Sequence, residues 1–131
     1  GWTGGEGDNY IRSLAPAGDV DGDGRNDLLV GVTRDNPPDT RNAGVSYLVT
    51  GARLLETLDV DVTDMTRQFW GNNPDLRTGS MVLGGSDFNG DGADDVVIGG
   101  AQVCIPGSCS DEWTEGHFGE IFVVFNQLIS P

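Results

Sequence analysis

Two near-continuous apolar runs, DLLVGV at residues 27–32 and DVVIGG at 95–100, interrupt a chain otherwise rich in Gly, Asp and Asn. Their β-branched content and lack of alternation predict strands buried on both faces. The short runs SLA (13–15) and MVL (81–83) predict strands leading into them, and VSYLV (45–49) and IFVVF (121–125) predict strands that follow. The alternation of LETLDVDV, residues 55–62, predicts a fourth strand after the first three. Residues 64–68 hold at most a helical turn.

The pattern occurs twice. At an offset of 68, Trp2 falls on Trp70, Leu14 on Val82, and Asp19, Asp23, Gly24 and Asp27 on Asp87, Asp91, Gly92 and Asp95. GVSYLV (44–49) then matches GEIFVV (119–124) at an offset of 75, so the second copy carries a seven-residue insertion. A repeat of this size implies modular architecture: one domain of two units, residues 1–68 and 69–131. Pro131 aligns with Glu56, about where the fourth strand of the second unit is due. That strand is then either missing or supplied from elsewhere.

Between the first two predicted strands of each copy lies an acidic loop. DVDGDGRND (19–27) places carboxylates at positions 1, 3, 5 and 9, namely Asp19, Asp21, Asp23 and Asp27. DFNGDGADD (87–95) places Asp87, Asn89, Asp91 and Asp95 at the same positions. Like charges this close repel, and folding them together is costly unless a cation neutralises them. Oxygen donors without His or Cys suit a hard cation. Four side-chain donors on a chain that doubles back fit Ca²⁺, which takes about six to eight oxygens in loose geometry, better than octahedral Mg²⁺. Gly24 and Gly92 follow the third donor, where the sharp turn predicts positive φ. The carbonyls of Arg25 and Ala93, at position 7, are expected as further ligands. One such loop is compatible with an ordinary Asp/Gly turn; two with identical donor positions favour two Ca²⁺ sites. An EF-hand needs Glu at position 12 and a following helix. Val30 and Ile98 stand there instead, and the sequence that follows is strand-like.

Composition sharpens this picture. The 131 residues are 37% hydrophobic, enough for a core, with 21 glycines that imply many turns. The net charge of -14 makes nucleic acid and anionic membrane poor partners. The two loops hold 8 of the 21 acidic residues, so two divalent cations would bring -14 to -10. No stretch approaches the roughly 18 apolar residues of a membrane span. Neither a start methionine nor a signal-like segment is present, as in a chain whose leader has been removed or whose ends have been trimmed. All seven basic residues are Arg, from which no function follows. Cys104 and Cys109 flank IPGS, a turn that can bring two sulfurs together, within the lengthened second copy. A local disulfide is expected, and with it an oxidising, extracellular compartment. Free thiols are the alternative. A metal site there is weakly supported, for want of further Cys or paired His.

GDVDGDGRNDLLVGV (18–32) and SDFNGDGADDVVIGGA (86–101) resemble the FG-GAP repeat of integrin α-subunit β-propellers and many bacterial surface proteins. The resemblance covers most of the chain. It implies an all-β fold of two four-stranded antiparallel blades, the second truncated or completed by another chain. It also implies Ca²⁺ between the first two strands of each blade, carried by Asp19, Asp21, Asp23, Asp27, Asp87, Asn89, Asp91 and Asp95. The Phe-Gly pair is replaced by Tyr10-Ile11 and Thr78-Gly79, and the Gly-Ala-Pro element by Gly31-Val32-Thr33 and Gly99-Gly100-Ala101.

Propellers close with about four to eight blades, and two cannot close a ring. Exposed apolar faces and strand edges are sites of pairing. Three arrangements solve this: a fragment of a longer propeller, an altered two-blade packing, or head-to-tail association as ring or filament. A shortened second copy favours strand exchange between neighbours. Catalysis is not expected. His117 is the only His, no nucleophile has a recognisable base, and Glu112, Glu115 and Glu120 near Trp113 read as a solvated loop rather than a glycosidase pair. The long loop 101–118, with Trp113, Phe118 and the cysteines, is a candidate contact surface. Carbohydrate binding is therefore the second reading, because the resemblance includes lectin-like members. Trp2 and Trp70 recur at one repeat position and read as packing residues. The first reading is a secreted or cell-surface, calcium-stabilised structural or adhesive module that acts through self-association or protein contacts.

Overall fold

A computed structural model of the chain describes residues 2–3, 11–33, 42–56, 60–61, 67–71, 76–100 and 120–125. Its elements in order are β1 (Trp2–Thr3), β2 (Ile11–Gly18), β3 (Asp27–Val32), β4 (Val45–Val49), α1 (Gly51–Glu56), β5 (Val60–Asp61), β6 (Arg67–Trp70), β7 (Thr78–Ser86), β8 (Asp95–Gly100) and β9 (Glu120–Val124). They form an antiparallel four-stranded sheet, β2-β3-β4-β6, and an antiparallel three-stranded sheet, β7-β8-β9. β1 and β5 pair separately and in parallel. The fold is all-β with two blade-like sheets.

The two sheets share one register. Leu14 pairs with Val30 and Ala15 with Leu29; Val82 pairs with Ile98 and Leu83 with Val97. Both hairpins are irregular at the same places, between Pro16 and Gly18 and between Gly84 and Ser86. Pro16 lacks an N–H, and it is accommodated because β2 is an edge strand beside a bulge. The third strands follow the 75-residue offset: Leu28 opposes Val49, and Val96 opposes Val124.

The fourth strand of the first sheet differs from the expectation. It is β6, at residues 67–70, paired with β4. Of the alternating segment 55–62, Leu55 and Glu56 end helix α1, while Val60 and Asp61 pair with Trp2 and Thr3 outside the sheet. Thr50 explains the helix. Its hydroxyl accepts the N–H of Arg53 (3.4 Å), its carbonyl accepts that of Leu54 (3.1 Å), and Arg53 pairs with Glu56 (2.7 Å). Arg67 and Gln68, in the stretch 64–68 that shows at most a weak helical-turn signal, are strand residues. Trp2 and Trp70 therefore stand in different sheets. Trp70 meets Tyr47 edge-on, with ring centroids 6.5 Å apart.

The main core lies between the sheets. Ala17, Val20, Leu29 and Leu48 meet Val96 and Ile98, with Phe69, Val82, Phe122 and Val124 packed around them. Val30, Val32, Val45 and Tyr47 form a second buried cluster on the other face of the first sheet. Polar contacts join β7 to the first sheet. The Ser13 hydroxyl donates to the Gly79 carbonyl (2.7 Å), and the Thr78 N–H to the Ala43 carbonyl (2.8 Å). The outer face of the second sheet is different: Met81, Leu83, Ile121 and Val123 are all exposed there. No helix among the described residues is long and apolar enough to cross a membrane.

Candidate metal centre

The 19–27 loop connects β2 to β3 and is shaped by its own carboxylates. Asp19 accepts the N–H groups of Gly22 (Oδ1, 2.8 Å) and Gly24 (Oδ2, 2.8 Å). Asp21 accepts that of Asp23 (3.1 Å), and Asp23 that of Arg25 (2.8 Å). Such Asx turns hold the chain in the doubled-back course that the Asp-x-Asp-Gly spacing favours. Gly24 has φ 86° and its counterpart Gly92 φ 92°, the left-handed region expected for both.

Asp27 anchors the loop from β3. It is 2% exposed, and its two oxygens accept the N–H groups of Val20 (Oδ2, 2.9 Å) and Gly51 (Oδ1, 2.8 Å). Burial is the largest influence on its carboxyl and raises its pKa. The two backbone hydrogen bonds oppose this, while the charges of Asp21 and Asp19 add to it.

Asp19, Asp21 and Asp27 each bring an oxygen within 4.8 Å of the others. Oxygens bound to one Ca²⁺ at about 2.3–2.6 Å lie no more than about 5 Å apart, so this all-oxygen group fits such an ion. Asp23 stands outside the group. Its Oδ2 pairs with the exposed Arg25 guanidinium at 3.0 Å.

The 87–95 loop has the same skeleton. Asp87 accepts the N–H groups of Gly90 (2.7 Å), Asp91 (3.1 Å) and Gly92 (2.8 Å); Asn89 accepts that of Asp91 (3.1 Å) and Asp91 that of Ala93 (3.0 Å). Asp95 is fully buried and accepts the N–H of Phe88 at 2.8 Å, as Asp27 does that of Val20. The loops differ at position 3. Asn89 supplies no charge, and its Nδ2 donates to Asp91 Oδ2 at 2.9 Å. Among the described residues, the close carboxylate group is that of the first loop.

One contact joins the loops and was not foreseen from the sequence. Asp94, one of the eight acidic residues of the two loops but not among the expected ligands, accepts the N–H of Asp19 at 3.0 Å through Oδ2. Cys104, Cys109, Glu112, Trp113, Glu115, His117 and Phe118 lie outside the described residues. Glu120 opens β9 and is half-buried.

Comparison with protein families identifies residues 11–49 as an FG-GAP repeat. The match spans β2, the first acidic loop, β3 and β4, and shows for the first unit the family that its loop resembles. Its β7–β9 counterpart follows the same registers. The chain thus carries one matched FG-GAP repeat within the first of its two blade-like antiparallel sheets. No curated protein matches it.

Proposed function

We propose that the chain is a calcium-stabilised, extracellular structural or adhesive module, non-catalytic, that acts through contacts between blades or with other proteins. The observation that carries this reading is the convergence of Asp19, Asp21 and Asp27 within 4.8 Å at the tip of an FG-GAP hairpin. A Ca²⁺ ion held by these residues would neutralise carboxylates that otherwise repel, and would tie β2 to β3. The equivalent positions Asp87, Asn89, Asp91 and Asp95 support a second site. Asp23, Arg25 and Ala93 complete the proposed ligand sets, the last two through their carbonyls.

The outer face of the second sheet supports the contact role. Its rows Leu83–Val97–Val123 and Met81–Gly99–Ile121 run across three strands. They are the repeat counterparts of Ala15–Leu29–Leu48 and Ser13–Gly31–Ser46. The first of those counterpart rows is buried, with Leu29 and Leu48 packed in the core between the two sheets. Exposed apolar rows of this kind fit the inner face of a further blade, in another copy or in the same protein. Size-exclusion chromatography with light scattering, in Ca²⁺ and in chelator, tests the reading together with melting curves on the same samples. Calcium-dependent melting with assembly beyond the monomer supports it. Indifference of both readouts to chelator removes the calcium role, and a monomer at high concentration removes self-association.

A further inference from the structure

Asp94 belongs to the second acidic loop but accepts a hydrogen bond from the first. Its Oδ2 accepts the N–H of Asp19, 75 residues away, at 3.0 Å. Asp19 is position 1 of the first loop, and its two carboxylate oxygens are already fixed by Gly22 and Gly24. Its backbone is fixed by Asp94. Gly18, at φ 76°, allows this approach, since a Cβ there would overlap the Asp94 carboxylate. The absence of a side chain at Gly18 thus keeps room for Asp94 to cross between the loops.

Asp94 directly precedes Asp95, the buried residue that accepts the Phe88 N–H and closes the second loop. Asp94 and Asp95 are consecutive, so the buried anchor of the second loop and the residue that holds the Asp19 backbone share one stretch of main chain. The backbone at Asp19 directs that residue's carboxylate towards Asp21 and Asp27.

We propose that Asp94 is a positioning residue that couples the two cation sites across the interface between the sheets, so that an ordered, loaded second loop raises the affinity of the first. This rests on the calcium reading above. Because linkage is reciprocal, the first site raises the affinity of the second by the same factor.

The test is a cycle of first-site Ca²⁺ affinities, measured by titration calorimetry with intact folding checked by circular dichroism. The proteins are the wild type, Asp91→Ala, Asp94→Ala and the double variant. Loss of the second site through Asp91→Ala should weaken the first site roughly fivefold or more, within the usual range of coupling energies. In the Asp94→Ala background the same change should have no effect. Asp94→Asn retains an acceptor oxygen and should keep the coupling. Equal effects of Asp91→Ala with and without Asp94 would overturn the proposal, as would Asp94→Asn behaving like Asp94→Ala. A wild type that binds no Ca²⁺ would overturn the calcium reading itself and this proposal with it. Two-site binding with no change in the cycle removes only the coupling.

Discussion

Asp27 and Gly51 are 24 residues apart, yet the Gly51 N–H donates to Asp27 Oδ1 at 2.8 Å. The bond fastens the start of helix α1 to the base of the first loop. The other oxygen of Asp27 fastens the loop itself through Val20. One buried carboxylate therefore sets both the loop and the exit of the chain from β4.

Asp27→Ala should accordingly destabilise the fold even without calcium. It strands two backbone N–H groups that are buried with their acceptor, at about 1–3 kcal/mol each. Chemical denaturation in metal-free buffer should show a loss of roughly 2–5 kcal/mol. A loss below about 0.5 kcal/mol would mean that water replaces the carboxylate.

The pH dependence of the metal-free protein follows from the same residue. Burial raises the Asp27 pKa above its ordinary 3.8 in the folded state. The folded chain then holds this proton more tightly than the unfolded chain does. The resulting stability is full below 3.8 and is lost as pH rises through the raised value. Melting temperatures in metal-free buffer should fall over that window, and should fall less in Asp27→Asn. Equal slopes for the two proteins would contradict the assignment.

Much of this was legible in the sequence because it is local or periodic. Offsets of 68 and 75 reappear strand by strand in the registers, and the glycines after the third acidic position have the positive φ that the turn requires. What escaped is long-range or locally ambiguous. Nothing near Asp94 indicates that its partner is Asp19, and nothing near Asp27 points to Gly51. The alternation in 55–62 reads as a strand and carries no sign of the Thr50 cap that starts a helix just before it, while Arg67–Trp70 is too short to announce a strand.

The two cation sites should differ in strength. The first loop offers Asp21 where the second offers Asn89, whose amide also occupies Asp91 Oδ2. Ligand charge tunes calcium affinity. Asn89→Asp should therefore tighten the second site on the order of tenfold, read by calorimetry in an Asp21→Ala background that isolates it. No tightening would mean that position 3 of this loop does not reach the ion.

The apolar outer face yields a prediction separable from calcium. Leu83 is 56% exposed and Val123 46%, so neither is needed to fill the core. Leu83→Asp with Val123→Asp should leave the melting temperature within a few degrees, because the substituted side chains remain in water. The same pair should abolish calcium-dependent assembly in light scattering by placing charges in the contact. Persistent assembly would move the interface elsewhere.

Arg25 offers the last test, and its direction runs against simple loss. Its guanidinium holds Asp23 Oδ2 at 3.0 Å, and the side chain is 52% exposed. For Asp23 to serve as a ligand, that pair must open, and a positive charge must tolerate a divalent ion beside it. Exposed pairs are worth about 0–1 kcal/mol, which bounds the effect to roughly fivefold. Arg25→Ala should then tighten the first site up to that limit, while its backbone carbonyl stays in place. Ala93 already occupies the matching position in the second loop. Weaker binding in Arg25→Ala would show instead that the guanidinium organises the loop through Asp23, and that Asp23 acts as a structural partner rather than a ligand.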